Sequence, residues 1–91
     1  MSSSLKSQPG ESPAEIVEEL RARLVELAEG KLSHAAIDPS RHMFDHGYVD
    51  SLSAVMLLAH IEERWGVEIE DTSLLDELST LDAIARHIHA R

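Results

Sequence analysis

Three segments of the 91-residue chain place apolar residues at helical spacing, and each is bounded by residues typical of helix ends. In the first segment, Ser12, Pro13 and Glu15 form a capping-box pattern with proline at the first helical position. Gly30 is placed to end this helix in a left-handed turn. The apolar stripe of the first helix is Ile16, Val17, Leu20, Leu24, Leu27 and Ala28.

A second helix is predicted from its cap, Asp50, to about Trp65, with Gly66 closing it. Its inward stripe is predicted to contain Ala54, Leu57, Leu58, Ile61 and Trp65. The helical pattern breaks over residues 31–48, where turn signals predict a long loop. The expected loop anchors on the core are Leu32, Ala35, Ala36, Ile37 and Phe44.

The C-terminal part of the chain predicts a short helical turn followed by a longer helix. The turn covers residues 71–78, with Leu74, Leu75 and Leu78 facing inward. Ser79 is predicted to cap the last helix, with Asp82 three residues later. The stripe of that helix is Leu81, Ile84, Ala85 and Ile88. Since no segment shows the alternating pattern of strands, the predicted fold is all-α: a small bundle of three longer helices and one short helix.

Composition limits the domain count and the classes of function. Residues 1–11 are rich in Ser, Gln, Pro and Gly and are predicted to form a flexible leader, which leaves residues 12–91 as one domain. No apolar run is long enough to span a bilayer, and the N-terminus lacks the apolar core of a secretory signal. Residence in the cytoplasm is therefore expected. The chain is also expected to be a monomer.

The chain carries 8 Lys and Arg against 17 Asp and Glu, a formal net charge of −9. This balance argues against a nucleic-acid partner, because neutralising a phosphate backbone requires clustered basic residues. An acidic surface suits basic patches on partner proteins, although net charge also serves solubility alone. The absence of cysteine excludes a disulfide framework and a cysteine nucleophile, so any thiol chemistry would need sulfur from another molecule.

The most informative segment runs from Phe44 to Leu52 and places Ser51 at the predicted start of the second helix. At that point free backbone N–H groups and the positive end of the helix dipole favour an attached phosphate. Ser51 is therefore a physically sensible site for a phosphodiester. The pattern alone leaves a second interpretation open, in which the serine is only part of the helix cap.

The same segment resembles the phosphopantetheine attachment site of acyl and peptidyl carrier proteins. Asp50-Ser51-Leu52 matches the family's Asp-Ser-Leu, and the resemblance covers about residues 12–88. It continues through Val55, Leu57, Ile61, the acidic pair Glu62 and Glu63, and Trp65. The resemblance implies that Ser51 carries 4′-phosphopantetheine, whose terminal thiol would hold a biosynthetic intermediate as a thioester.

Two departures from the fatty-acid carriers indicate a different pathway. Gly47 and Asp50 are separated by one residue more than in those carriers, and Ser53 and Met56 occupy positions where they place acidic residues. In these features the chain is similar to D-alanyl carriers and to discrete carriers of polyketide or nonribosomal peptide biosynthesis. The implied partners are a phosphopantetheinyl transferase, an adenylation or acyltransferase loading enzyme, and a downstream synthase or transferase. The chain itself is not expected to be an enzyme.

A partner-binding face is predicted on the side of the second helix opposite its inward stripe. The predicted residues are Leu52, Val55, Met56, Ala59, Glu62 and Glu63. In related carriers this face is where enzymes dock, and methionine is common at surfaces that meet several partners. The alternative is that these are ordinary exposed or half-buried residues.

Other functional interpretations have weaker support in the residues. The six histidines lack the regular spacing of a metal site, so no metal is expected. A serine hydrolase would need a base held by an orienting group, and His46 has no evident orienter. The main alternative to a carrier is a helical protein-interaction adaptor without a prosthetic group, with Asp50 merely a cap.

Overall fold

The computed structural model of the protein describes residues 11–90, which form a bundle of three α-helices. The helices are α1 (Pro13–Leu27), α2 (Ser51–Trp65) and α3 (Leu81–His89). Two 3₁₀ helices lie between them, at His34–Ala36 and Asp71–Leu75. The predicted all-α bundle of three longer helices and one short helix is confirmed. The short fourth helix is the 3₁₀ helix at Asp71–Leu75.

The helices begin and end largely where the sequence predicts. Ser12 and Glu15 form the predicted capping box, with the Glu15 carboxylate accepting from the Ser12 N–H at 2.8 Å. The first helix stops at Leu27, ahead of Gly30, because Glu29 also adopts the left-handed conformation, at φ 54°. Gly30 itself has φ 85°, as the predicted left-handed turn requires.

The cap of α3 is Thr80, so the prediction of Ser79 was wrong. The Thr80 hydroxyl oxygen accepts from the Ala83 N–H at 3.1 Å. The Ser79 carbonyl oxygen instead accepts from the Met43 N–H at 2.9 Å. Ser79 is therefore used to hold the long loop rather than to start the helix.

The core is built from one face of each helix and from several residues of the long loop. The buried helical residues are Ile16, Val17, Leu20, Leu24, Ala54, Leu57, Ile61, Leu81, Ile84, Ala85 and Ile88. Leu58 and Trp65, which were predicted to face inward, are only half-buried at the edge of this core. From the loop, Ile37, Met43, Tyr48 and Val49 are buried. Of the predicted anchors, Ile37 is buried, Leu32 and Phe44 pack against the core, and Ala35 and Ala36 are exposed.

Leu75 is exposed, at 60% of its accessible surface, although it was predicted to face inward. The reason is the local geometry of a 3₁₀ helix, which turns by about 120° per residue. Neighbouring residues of such a helix cannot both face the core. Leu74 takes the buried position, and Leu78 takes the other one beyond the end of the 3₁₀ helix.

Side-chain hydrogen bonds stabilise the end of the bundle that contains the C-terminus of α2. The Trp65 indole N–H donates to the Glu11 carboxylate at 2.8 Å, and His60 Nε2 lies 3.2 Å from the Glu19 carboxylate. The predicted leader over residues 1–11 lies outside the described residues except for Glu11. Glu11 itself is half-buried and belongs to this hydrogen-bonded end.

The same leucine-to-alanine change is expected to affect the free energy of unfolding very differently on the two faces of α2. Leu57 is completely buried, so Leu57→Ala should lower the free energy of unfolding by ~2–5 kcal/mol. Leu52 is 71% exposed, so Leu52→Ala is the matched control and should cost less than ~0.5 kcal/mol. Urea unfolding followed by circular dichroism measures both, and equal losses would show that the wrong face has been placed in the core.

Candidate functional site

Ser51 is the first residue of α2, and its side chain is exposed. The preceding residue, Asp50, is the cap: its carboxylate accepts from the Ser53 N–H at 2.9 Å. In return the Ser53 hydroxyl accepts from the Asp50 N–H at 2.9 Å, which completes a capping box. The sequence predicts the Asp50 cap, but the reciprocal role of Ser53 was missed because the usual third residue of this motif is Glu or Gln.

The electrostatic field at Ser51 is set by the first turn of α2. The N–H groups of Ser51 and Leu52 belong to this turn, where the helix offers no carbonyl partner. They form the positive end of the helix dipole, which favours a phosphodiester on the Ser51 hydroxyl. The Ser53 N–H, and then the Ser53 hydroxyl, hold the pKa of the Asp50 carboxyl below its ordinary value. Asp50 is therefore a carboxylate at neutral pH, which suits capping and not direct contact with a phosphate.

The loop that leads into α2 is fixed immediately before the site. Tyr48 and Val49 are buried, and the Tyr48 N–H donates to the Met43 carbonyl oxygen at 2.8 Å. Gly47 has φ 72°, a conformation that side-chain-bearing residues rarely adopt. His46, the nearest preceding histidine, is exposed and has its ring 5.9 Å from that of Tyr48. Buried residues on the core side thus fix the backbone that presents Ser51.

An open groove of about 420 Å³ adjoins Ser51 between α2 and the 3₁₀ helix at Asp71–Leu75. It is lined by Phe44, Ser51, Ala54, Val55, Asp71, Thr72 and Leu75. The exposed hydroxyl, the helix N-terminus and this mostly apolar groove together fit a prosthetic group attached through a phosphodiester. The chain supplies no thiol of its own.

All six residues of the predicted partner face lie on the surface of α2. Leu52 and Val55 are exposed at 71% and 57%, and Met56 at 41%. Ala59, Glu62 and Glu63 are also exposed. Leu75 adds a further exposed apolar residue next to Val55 in the groove beside Ser51. The geometry thus brings the predicted residues together on one surface, and it leaves their role as a docking site a proposal.

Each helix of residues 11–90 is too short or too polar to span a lipid bilayer. No group of three or more His, Cys, Asp or Glu side chains in this part of the chain is arranged to hold a metal ion.

Comparison with known proteins shows which family this chain resembles. Residues 14–88 match the family described as "Phosphopantetheine attachment site". A curated protein from Streptomyces coelicolor, "Acyl carrier protein", is 35% identical over 74 residues, which cover 81% of this chain and 78% of that protein. No solved structure shows a significant match.

The family match covers α1, α2 and almost all of α3, and includes the Asp50-Ser51-Leu52 segment. The prosthetic group of this family is 4′-phosphopantetheine. The chain belongs to the phosphopantetheine-attachment family of carrier proteins.

Proposed function

We propose that Ser51 is the attachment residue for 4′-phosphopantetheine and that the chain acts as a discrete acyl or aminoacyl carrier protein. The observation that carries this proposal is the position of Ser51, exposed as the first residue of α2 within the matched family region. When attached, the group supplies the thiol that the cysteine-free chain lacks. The chain itself is not a catalyst in this proposal.

The roles of the residues around Ser51 follow from their contacts. Asp50 caps α2 and so fixes the first turn, which presents the exposed Ser51, without itself binding the phosphate. Leu52 lies on the exposed side of the same turn, where an enzyme that approaches Ser51 would meet it. Tyr48 and Val49 hold the preceding backbone to the core.

The proposed partners are a phosphopantetheinyl transferase, an adenylation or acyltransferase loading enzyme, and a downstream synthase or transferase. We place the pathway in polyketide or nonribosomal peptide biosynthesis. Support comes from the first two turns of α2, where Ser53 is engaged in the capping box and Met56 is exposed, at positions that are acidic in fatty-acid carriers. This half of the helix therefore offers an apolar surface to its partners.

Ser51→Ala should abolish modification of the protein by coenzyme A and a broad-specificity phosphopantetheinyl transferase. Intact-mass measurement should show one added phosphopantetheinyl group on the wild type and none on the variant, with unchanged helicity. Ser53→Ala is the matched control, since it removes a neighbouring hydroxyl and should still be modified. Modification of Ser51→Ala, or no modification of the wild type, would overturn the carrier proposal and favour an adaptor without a prosthetic group.

The Asp50→Asn variant should lose less stability than the wild type when the pH is lowered into the acid range. Because the pKa of Asp50 is lowered in the folded state, its contribution is present above the unfolded value, near 3.8, and is lost as the pH falls through the folded pKa. Asparagine keeps a capping oxygen but does not titrate. The unfolding temperatures of the two proteins should therefore converge as the pH is lowered from neutral to below this value.

The control for this measurement is Asp45→Asn, which makes the same change of charge at an exposed residue that caps no helix. It corrects for the general effect of net charge on acid stability, and it also removes a weak pair between the Asp45 carboxylate and His42 Nδ1, which lie 3.9 Å apart. The unfolding temperature is compared with that of the wild type across the pH range for each variant. If Asp50→Asn differs from the wild type no more than Asp45→Asn does, the assigned role of the cap is contradicted.

Docking at the partner face should depend on both an apolar contact and an electrostatic attraction, and two substitutions distinguish these contributions. Met56→Glu places a charge among apolar contacts and should reduce loading by the cognate enzyme at both low and high salt. Glu63→Lys should reduce loading mainly at low salt, because salt screens exposed charges. Initial loading rates measure both effects, and the melting curves must match that of the wild type. Undiminished loading of a folded Met56→Glu protein would exclude this face as the docking site.

A further inference from the structure

The backbone at Ile37, in the long loop between α1 and α2, is held by a side chain of α1. The Nε and NH2 groups of Arg21 both donate to the Ile37 carbonyl oxygen, at 3.1 and 2.7 Å. Ile37 is completely buried, so this carbonyl is shielded from water and needs a donor from the protein. An arginine on a helix thus fixes one point of an irregular segment.

The guanidinium of Arg21 is directed toward the loop by Glu18. Arg21 NH1 donates to one oxygen of the Glu18 carboxylate at 3.0 Å, and the other oxygen lies 3.0 Å from His34 Nε2. His34 begins the 3₁₀ helix that leads directly to Ile37. Glu18 is exposed, so these pairs add little stability, but they orient the guanidinium. The planar fork of arginine makes these contacts with Ile37 and Glu18 at the same time, which a lysine ammonium cannot reproduce.

The loop at Ile37 is connected to the start of α2 through Tyr48. The Tyr48 hydroxyl accepts from the Asp38 N–H and donates to the Ala36 carbonyl oxygen, so it contacts both neighbours of Ile37. Tyr48 is buried and lies three residues before Ser51. Residues 36–38 are therefore held by Arg21 and by Tyr48, and a displacement of Ile37 would reach the backbone that enters α2.

The first turn of α2 is the part of the helix that depends most on this support. The Ser53 N–H donates to the Asp50 carboxylate and the Ala54 N–H donates to the Asp50 carbonyl oxygen, both at 2.9 Å. Both bonds require Asp50 to keep its place, two residues after Tyr48. Ile61, by contrast, is completely buried in the core of the bundle. Loosening of the loop should therefore fray the first turn and leave the rest of α2 intact.

We propose that Arg21 is a positioning residue for the attachment of phosphopantetheine to Ser51. Arg21 does not line the groove beside Ser51, and its donor groups are engaged by Ile37 and Glu18. It acts through Ile37 and Tyr48, by keeping the first turn of α2 in one place on the bundle. This inference rests on the proposed carrier function, and it adds a residue outside the site on which the modification depends.

The first test is the kinetics of a broad-specificity phosphopantetheinyl transferase with this protein as substrate. Arg21→Gln should lower kcat by roughly threefold or more and leave the KM for the protein within about twofold. The exposed face of α2 that the enzyme meets is unchanged, whereas the Ser51 hydroxyl spends less time in the reactive position. A rise in KM with unchanged kcat would place Arg21 in the docking surface and overturn the proposal.

Arg23→Gln is the matched control for this measurement. It makes the same change two residues along α1, where the guanidinium pairs with Glu26 and not with the loop. Both kcat and KM of this variant should stay within about twofold of the wild type. Equal losses of kcat in Arg21→Gln and Arg23→Gln would show that only the charge of α1 is sensed, against the proposal.

Hydrogen exchange of backbone amides distinguishes positioning from general stabilisation. In the unmodified Arg21→Gln protein, the amides of Ser53 and Ala54 should exchange at least threefold faster than in the wild type, with the Ile61 amide within about twofold. Equal acceleration at all three amides would mean that Arg21 only stabilises the whole fold, which contradicts the assigned role.

Arg21→Lys tests the paired donors and also serves if the glutamine variant does not fold. It keeps the positive charge but offers one ammonium in place of the fork, so its kcat should lie below that of the wild type. A wild-type kcat in Arg21→Lys would show that charge alone is sufficient and would overturn the proposal.

The outcome is separable from that of the carrier proposal. If the wild type is modified and Arg21→Gln has the same kcat, the carrier function stands and this inference fails. If the wild type is not modified, the carrier function fails and the role of Arg21 in attachment fails with it. The exchange rates then still show whether Arg21 holds the first turn of α2.

Discussion

The position of Ser51 depends on how Tyr48 fastens the long loop between α1 and α2. Its hydroxyl accepts from the Asp38 N–H at 3.0 Å and donates to the Ala36 carbonyl oxygen at 3.2 Å. One buried side chain thus satisfies two backbone groups in a segment that has little regular structure. Arg21 adds a second fastening from α1, with two guanidinium N–H groups donating to the Ile37 carbonyl oxygen at 3.1 and 2.7 Å. Because the backbone at Tyr48 is fixed, the Asp50 cap and the first turn of α2 have a defined place on the bundle.

One face of helix α2 stabilises the fold, and the opposite face is available for recognition. Leu57 and Ile61 are fully buried, whereas Leu52 and Val55 are mostly exposed although they are just as apolar. Exposed apolar groups contribute little to the folding of an isolated chain, and a surface of this kind is typical of contacts with other molecules. The proposed carrier function accounts for that arrangement, because an enzyme that acts on a group at Ser51 must approach this face.

The sequence predicts the helices well because their apolar residues recur at a regular spacing and their caps have recognisable chemistry. The bounds of α2, its Asp50 cap and the exposure of Leu52, Val55 and Met56 all follow from these local rules. Met43 and Tyr48 could not be found in this way, because a loop has no period and their burial depends on distant residues such as Ser79. The error at Leu75 has a similar origin, since the apolar pattern does not distinguish an α-helical turn from a 3₁₀ turn.

Ion pairs neutralise the acidic residues of some segments but not of others, and composition alone does not reveal this difference. On α1, Glu18 and Glu26 are paired with arginines of the same helix, and Glu19 holds Arg64 of α2. Exposed pairs of this kind add little stability, and their effect on the surface potential is more important. Since Arg64 is drawn toward α1, the far half of α2 and the segment after it retain almost all of their negative charge. Residues 62–77, with seven acidic residues and one basic residue, therefore contribute 1 − 7 = −6 of the formal charge of −9, and a basic partner approaching this stretch would be oriented by the field before any contact forms.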